Sequence, residues 1–420
     1  MSSERENEEY KDDEIIGSDD KIIDDDNYYG QEELVRMSSN INSMYITRTV
    51  EDLLKELNQG LYVIPAFQRR YVWKKKKVAE LAFSLIKNIP IPALYVYIKG
   101  EKRYVLDGQQ RLISLFLYFN DLEYSSSDND IDFGTVSKIS NELRLLENIE
   151  RQKLTVDEKR KMKELKTKLN KFHMRRCDYS IVASEGEAKI TFGSFDPRIQ
   201  KFLWSQQLHI TLLECKDKEP NKTYAYLFKT LNTSGKKLGS QEIRNGVYWE
   251  TYLYKKLLEI NKNETWRKIY GNISIYSKDI EILLKALALR HYSYLVKDKN
   301  GDDAVKIAHP NFSWSRIIEE YSRYSVSHDV AEEIEELEKF LDCIHLDGQL
   351  SQKASLKKAA FEAAFVACSL SKMKWDLCKL ETEWFEKLYT RFEKIESNKT
   401  SVEKRLTVAY LIARDNNGTI

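Results

Sequence analysis

No stretch of this 420-residue chain approaches the roughly 18 consecutive apolar residues that a membrane-crossing helix needs. The N-terminus is acidic and polar, which argues against a secretory signal. Cysteine is scarce. Cys177, Cys215, Cys343, Cys368 and Cys378 are the five present; no two form a C-x-x-C pair, and their odd number argues against a closed disulfide framework. A reducing cytoplasm is the expected compartment. Net charge is also small, at +1, so the chain as a whole is not drawn to nucleic acid. Any such surface must be local, because acid and base are segregated along the sequence. The phosphate-cradling pattern G-x-x-x-x-G-K-S/T is missing, as are G-x-S-x-G and H-E-x-x-H. P-loop NTPases, serine hydrolases of the nucleophile-elbow type and zincins are therefore disfavoured. Cys343 and His345 stand close, but two ligands do not make a zinc site.

What is present suits a soluble protein of two or three domains. Apolar residues make up 42% and charged residues 32%, enough for a sizeable core under a well-solvated surface. Residues 1–40 are rich in Asp and Glu and poor in apolar side chains. Such a segment cannot bury enough surface to offset its ordering entropy, so an acidic disordered tail is expected. Its charge would also suit a mimic of DNA. A first domain is expected over 41–250, with a basic helical insertion at about 121–190, and a helical domain over 251–420.

Within the first domain Thr49 reads as an N-cap, with Val50, Leu53, Leu54 and Leu57 on one helix face. Leu61 to Ile64 reads as a short strand. A second helix carries Val78, Leu81, Ala82, Leu85 and Ile86 inward. Leu94–Ile98 and Arg103–Leu106 form a hairpin across Lys99-Gly100-Glu101-Lys102. A helix then starts near Gln109 and buries Leu112, Leu115, Phe116 and Phe119. Met162, Leu165, Leu169 and Phe172 stripe the basic stretch 151–176, and Ile210–Leu213 is a strand. Beyond it, helices are expected over 223–231, 240–260, 277–296, 329–346, 353–371 and 380–395. No internal repeat is visible.

Three constellations carry possible chemistry. The first is Asp107-Gly108-Gln109-Gln110-Arg111, at a strand-to-helix junction. A helix N-terminus suits an anion. Gly108 lets backbone approach a ligand, and Arg111 offers a fork for phosphate. Gln109 and Gln110 can orient a water or a phosphate oxygen, and Asp107 can hold Mg²⁺ or accept a proton. The same run also reads as a plain turn with a capping Asp. The second is Ile64 to Trp73, followed by Lys74–Lys77, where Arg and aromatic rings could clamp phosphates and stack on bases. Core aromatics beside a solvated helix start explain Gln68 and Arg69 equally well, and explain the lysines better. The third joins Phe228, Asn232, Gly235, Leu238, Glu242 and Arg244 about a turn between helices, with Ser240 capping the second. The basic stretch around Lys161 and Lys163 could supply salt-sensitive contacts to DNA phosphates.

Taken together, Ile64-Pro-x-Phe-Gln-Arg-x-Tyr-x-Trp73, Asp107-Gly-Gln-Gln-Arg111 and Phe228-x-x-x-Asn232-x-x-Gly235-x-x-Leu238, with Glu242 and Arg244, resemble the N-terminal domain of GmrSD-type modification-dependent restriction proteins. That family lies in the ParB/sulfiredoxin-like superfamily, and the resemblance covers about residues 45–250. It implies an α+β fold, a small mixed sheet with helices, followed here by a mainly α-helical C-terminal domain. It implies binding and hydrolysis of a nucleoside triphosphate with Mg²⁺, in prokaryotic antiphage defence, coupled to DNA. On this carry-over Asp107, Gln109, Gln110 and Arg111 form the catalytic set, with Asp107 toward the metal. Gln68, Arg69, Gly108 and Asn232 would surround the nucleotide, and Lys74, Lys75, Lys161 and Lys163 would meet DNA. Family members usually end in an HNH-type nuclease domain with a His-x-x-Pro element. His309-Pro310 is adjacent rather than spaced, so a nuclease is expected on a partner chain, or the chain acts as a homo-oligomer. A non-enzymatic DNA-binding module, and a nuclease or nickase built on this domain itself, are the alternatives.

Overall fold

The computed structural model describes residues 41–65, 70–126, 131–149, 153–183, 186–216, 227–228, 230–231, 239–274, 276–309, 312–346, 354–372, 379–392 and 396–417. The tail expected over 1–40 lies outside them, as do Gln68, Arg69, Asn232, Gly235 and Leu238. The chain divides into two compact units at the 238/239 boundary. No helix among the described residues is long and apolar enough to cross a membrane.

The first unit runs β1 (Ile41–Thr49), α1 (Val50–Asn58), β2 (Tyr62–Val63), α2 (Lys75–Ile86), β3 (Leu94–Lys99), β4 (Lys102–Asp107) and α3 (Gln109–Phe119). It continues with β5 (Leu122–Tyr124), α4 (Phe133–Glu147), α5 (Val156–Lys171), β6 (Met174–Arg176), β7 (Ser180–Ala183), β8 (Gly186–Lys189), α6 (Pro197–Trp204) and β9 (Gln207–Cys215). Five strands make one mixed sheet in the order β1-β9-β3-β4-β2. β9 lies antiparallel to β1 and parallel to β3, while β3 and β4 form the expected hairpin. The hairpin's register shifts between Tyr95 and Val96, so Tyr95 faces Asp107 while Val96 faces Val105. Such a bulge bends a strand and re-aims the residues beside it.

Local chemistry explains the elements around the sheet. Thr49 caps α1, its side chain accepting from the Asp52 N–H, and Val50, Leu53, Leu54 and Leu57 are buried as the spacing predicts. α3 is apolar nearly all round: Leu112, Ile113, Leu115, Phe116, Leu117, Tyr118 and Phe119 are all buried. A helix of that composition belongs inside the core rather than on its surface.

The 121–190 stretch adds side chains to the same core: Leu122, Phe133, Val136, Leu143, Leu165, Leu169 and Met174 all join it. Asp121 anchors this stretch to the end of α3. Its carboxylate lies 3.0 Å from Arg144 and accepts from the Gly193 N–H at 3.1 Å. Burial pushes the Asp121 carboxyl up, and Arg144, the Gly193 N–H and Arg176 oppose that shift.

The second unit is helical, with one hairpin. It holds α7 (Ser240–Tyr248), α8 (Tyr252–Ile260), α9 (Glu264–Tyr270), α10 (Lys278–Tyr292), β10 (Ser293–Lys297), β11 (Asp303–Ile307), α11 (Trp314–Ser327) and α12 (Ala331–Asp342). After the short strand Ile344–His345 come α13 (Ala354–Leu370), the short strand Leu380–Glu381, α14 (Thr382–Arg391) and α15 (Lys399–Asn417). The chain is thus α+β, with a small mixed sheet and a largely helical C-terminal region.

Candidate functional site

The junction between β4 and α3 is built around Gly108, which caps α3 in the left-handed region at φ +97°. A Cβ there would lie 2.3 Å from Leu94 Cδ2 and 3.2 Å from Arg111 Nη2. Only glycine fits both the dihedral and the space. Gly108 supplies no side-chain acceptor to the first turn of α3, so the positive end of the helix is left to backbone groups.

Arg111 folds back on the junction. Its Nη2 donates to Asp107 Oδ2 at 2.7 Å, and its Nη1 donates to the carbonyls of Pro92 at 2.5 Å and Ala93 at 3.1 Å. The guanidinium therefore ties the approach to β3 to the end of β4. The ion pair is part-buried, where such charge-assisted bonds are stronger than on the surface.

Gln110 is buried, and both ends of its amide are engaged. Oε1 accepts from the Val72 N–H at 2.9 Å and Nε2 donates to the Arg70 carbonyl at 3.1 Å. Between them, Tyr71 reaches Ser114 on α3 through hydroxyls 2.8 Å apart. Burial raises the Tyr71 phenol above its ordinary value, against a smaller lowering by the Ser114 bond. Gln110 and Ser114 thus hold the segment that follows Gln68 and Arg69 against the start of α3. The structure brings the first and second constellations together through the Gln110 side chain and the backbone of Arg70 and Val72. Gln109 is buried beside them.

Ser114, Pro92 and Ala93 are contributors that the sequence reading did not single out. Ser114 lies one turn past the motif on an apolar helix, and the other two act only through carbonyls. Neither leaves a residue-type signal.

Among the described residues no group of three or more His, Cys, Asp or Glu side chains could hold an ion. A Mg²⁺ that arrives on phosphates needs only one or two carboxylates from the protein. Asp107 suits that limited role and no dedicated cage. His345 Nδ1 meets the Cys343 carbonyl at 3.0 Å, and His309 Nε2 meets Glu320 Oε2 at 2.8 Å.

The cationic candidates are all exposed. Lys74 and Lys75 stand at the start of α2, and Lys161 and Lys163 on α5. Lys161 is 3.6 Å from Glu142, so part of its charge is balanced within the protein.

In the third constellation Phe228 is buried and the turn residues lie outside the described set. Glu242 and Arg244 fall on α7, in the second unit. Gly239, not Ser240, is the N-cap of α7, and its N–H donates to Glu242 Oε2 at 2.7 Å. Ser240 is instead the first helical residue, and the Glu242 carboxylate reaches back to the N–H of the N-cap. Arg244 donates from Nε to Gln241 Oε1 at 2.9 Å and lies 3.6 Å from Glu281. Burial would raise the Glu281 carboxyl, but Lys285, Lys278 and Arg244 hold it down at about 2.

Comparison with known proteins places these motifs in one domain. Residues 50–249 match the family model described as GmrSD restriction endonuclease, N-terminal domain. A curated relative, an uncharacterized protein of Methanocaldococcus jannaschii, is 34% identical over 95 residues. That match covers 17% of this chain and 16% of the relative.

Proposed function

We propose, from the premise that residues 50–249 of this restriction- or defence-type protein are a GmrSD-type N-terminal domain, that the β4–α3 junction binds and hydrolyses a nucleoside triphosphate in concert with DNA. The observation that carries this reading is Gly108: a left-handed glycine at the positive end of a buried helix whose first turn has no side-chain cap. That geometry favours phosphate approaching backbone. Gln110 holds the backbone of Arg70 and Val72; Arg69 and Arg70 would supply cationic charge to the phosphates, with Gln68 beside them in sequence. Asp107 and Arg111 fix the junction's shape, and Gln109 sits in its first turn. Mg²⁺ would come with the triphosphate and supply further charge neutralisation, with Asp107 the protein carboxylate for it. Lys74, Lys75, Lys161 and Lys163 would serve DNA phosphates. A nuclease on a partner chain, or a second copy of this chain, would complete the system.

The test is phosphate release across a nucleotide panel, with and without DNA and Mg²⁺. Turnover is expected to fall at least about 100-fold in Asp107→Ala and in Arg111→Ala, the loss typical when reacting groups are misplaced by about an ångström. Wild-type turnover in both variants sinks the reading.

One observation favours a second reading. Gln110 spends both amide ends on Arg70 and Val72, and Arg111 spends its fork on Asp107, Pro92 and Ala93. Groups occupied in this way suit a non-enzymatic scaffold for DNA. That scaffold would bind DNA with a steep salt slope and release no phosphate. Cleavage of DNA by this domain itself has less support, because among the described residues no group of three or more His, Cys, Asp or Glu side chains could hold a metal ion.

A further inference from the structure

We propose that the cleft beside residues 71–76 holds an unstacked base and the neighbouring phosphates of a single nucleic-acid strand. The inference deepens the DNA-linked reading above and rests on it only for the class of polymer.

The cleft has a volume of about 500 Å³, and Trp73, Lys74, Lys75, Lys76, Glu123 and Tyr124 are among its lining residues. That volume suits one nucleotide-sized ligand and is too confined for a duplex. The charge of the lining is one-sided. Lys74, Lys75 and Lys76 are exposed, and among the described residues none of them makes an ion pair, whereas the next residue, Lys77, pairs with Glu80 at 3.2 Å. Glu123, the acidic member of the lining, is already held by Arg175 at 2.8 Å.

The lysines also sit where their own helix disfavours them. Lys74 is the N-cap of α2, no side chain caps that end, and its first turn contains no acidic residue. Cations at the positive end of a helix dipole are unfavourable, and an anion placed there removes the conflict. α2 therefore opens onto the cleft with lysine charge and helix charge of the same sign.

The rings supply the second half of the argument. Trp73 and Tyr124 are half-buried, so each keeps surface toward the cleft. Tyr71 and Tyr124 have ring centroids 6.2 Å apart at 46°, which fixes the aromatic wall. Tyr71 is in turn fastened to Ser114 and its neighbour Val72 to Gln110. Aromatic faces next to unpaired lysines are the means by which proteins hold a splayed base and its backbone. The lysine-studded outer face of α5 offers charge without rings and suits duplex backbone instead.

The experiment uses the full chain and no nucleoside triphosphate, so a failure of the hydrolysis reading leaves its outcome unaffected. Fluorescence anisotropy is measured with a labelled 20-nucleotide single strand and with a duplex of the same length, between 50 and 200 mM salt. The single strand is expected to bind at least tenfold more tightly than the duplex. Trp73→Leu should weaken single-strand binding by roughly 5- to 100-fold with an unchanged salt slope, as for loss of one stacked base. The triple variant Lys74→Gln, Lys75→Gln, Lys76→Gln should instead flatten the slope by about two. Wild-type affinity in Trp73→Leu, or preference for the duplex, overturns the proposal. Thermal unfolding of each variant shows whether the fold is retained, and the exposed lysine variant provides the test if Trp73→Leu unfolds.

Discussion

At the scale of single residues, Gly108 is the position where backbone and space both leave no choice. Gly108→Ala places a Cβ against Leu94 Cδ2 at a dihedral that L side chains rarely adopt. Left-handed strain and overpacking together should cost about 2–4 kcal/mol, read as a lower urea midpoint with an unchanged slope. A loss under about 0.5 kcal/mol, no more than an ordinary surface substitution, would show that Leu94 simply moves aside. The motif residues were legible in sequence because they are contiguous and chemically marked. What they do was less legible. Gln110 reads as a phosphate-facing amide, yet its amide is a clasp for Arg70 and Val72. Arg111 reads as an open fork, yet it meets two carbonyls nearly twenty residues upstream. Both partners are backbone atoms, and backbone has no signature in a one-dimensional pattern.

At the scale of elements, apolar periodicity located helices well where they stand alone. It found α1, α2 and α3, the hairpin of β3 and β4, and the core of β9. It merged neighbours where the pattern continues across a break: the helix expected over 240–260 is α7 and α8, interrupted at 249–251. It also carried α10 through to 296, although Ser293–Lys297 pairs as β10 with β11. That hairpin leans on α15, where Glu403 accepts from the Ile307 N–H at 3.1 Å and Thr407 accepts from the Val305 N–H at 2.9 Å. Partners about a hundred residues away decide the strand. α4, α6, α9, α11 and α15 were not foreseen as separate helices.

The contact of α10 with α13 yields a pH prediction. Glu362 on α13 is buried, and burial raises its carboxyl to about 7, against Lys285, Arg405 and Lys358 and with Glu281. The folded state keeps a proton there that the unfolded chain releases near 4.5, so stability falls as pH climbs from about 4.5 through 7. Glu281 acts in the other direction. Its depressed carboxyl contributes stability above about 4.5 that is lost as pH falls toward 2. Glu362→Gln should therefore raise the Tm at pH 8 and leave it nearly unchanged at pH 4. Parallel Tm profiles for the variant and the wild type would show that Glu362 is ionised when folded.

At the scale of the whole molecule, near-neutrality conceals two opposed charges. Residues 1–40 hold 14 acidic and 4 basic side chains, so the other 380 residues carry a net +11. Deleting residues 1–40 is expected to strengthen DNA binding at 50 mM salt by about tenfold, with the advantage vanishing near 0.5 M as screening shortens the reach of charge. Equal affinity of both forms at low salt, measured by anisotropy, would show that the acidic stretch does not offset the basic body. The division of the chain at 238/239 was only partly legible, because α7 carries the last residues of the family pattern yet packs with the helices that follow. Tyr248 donates to Glu319 at 2.6 Å, and Arg244 faces Glu281.

The strand order has a consequence for how the protein is made. β9 lies between β1 and β3, yet more than a hundred residues separate it from either in sequence. Until Gln207–Cys215 has left the ribosome, β1 has no neighbour in the sheet and β3 has an open edge. At about 5–20 residues per second that interval lasts on the order of 5–20 s. Through that time the nascent chain presents unpaired strand edges, that of β3 rich in Tyr and aliphatic residues, a template for aggregation. The chain's solubility during synthesis therefore depends on what shields β3 before β9 arrives.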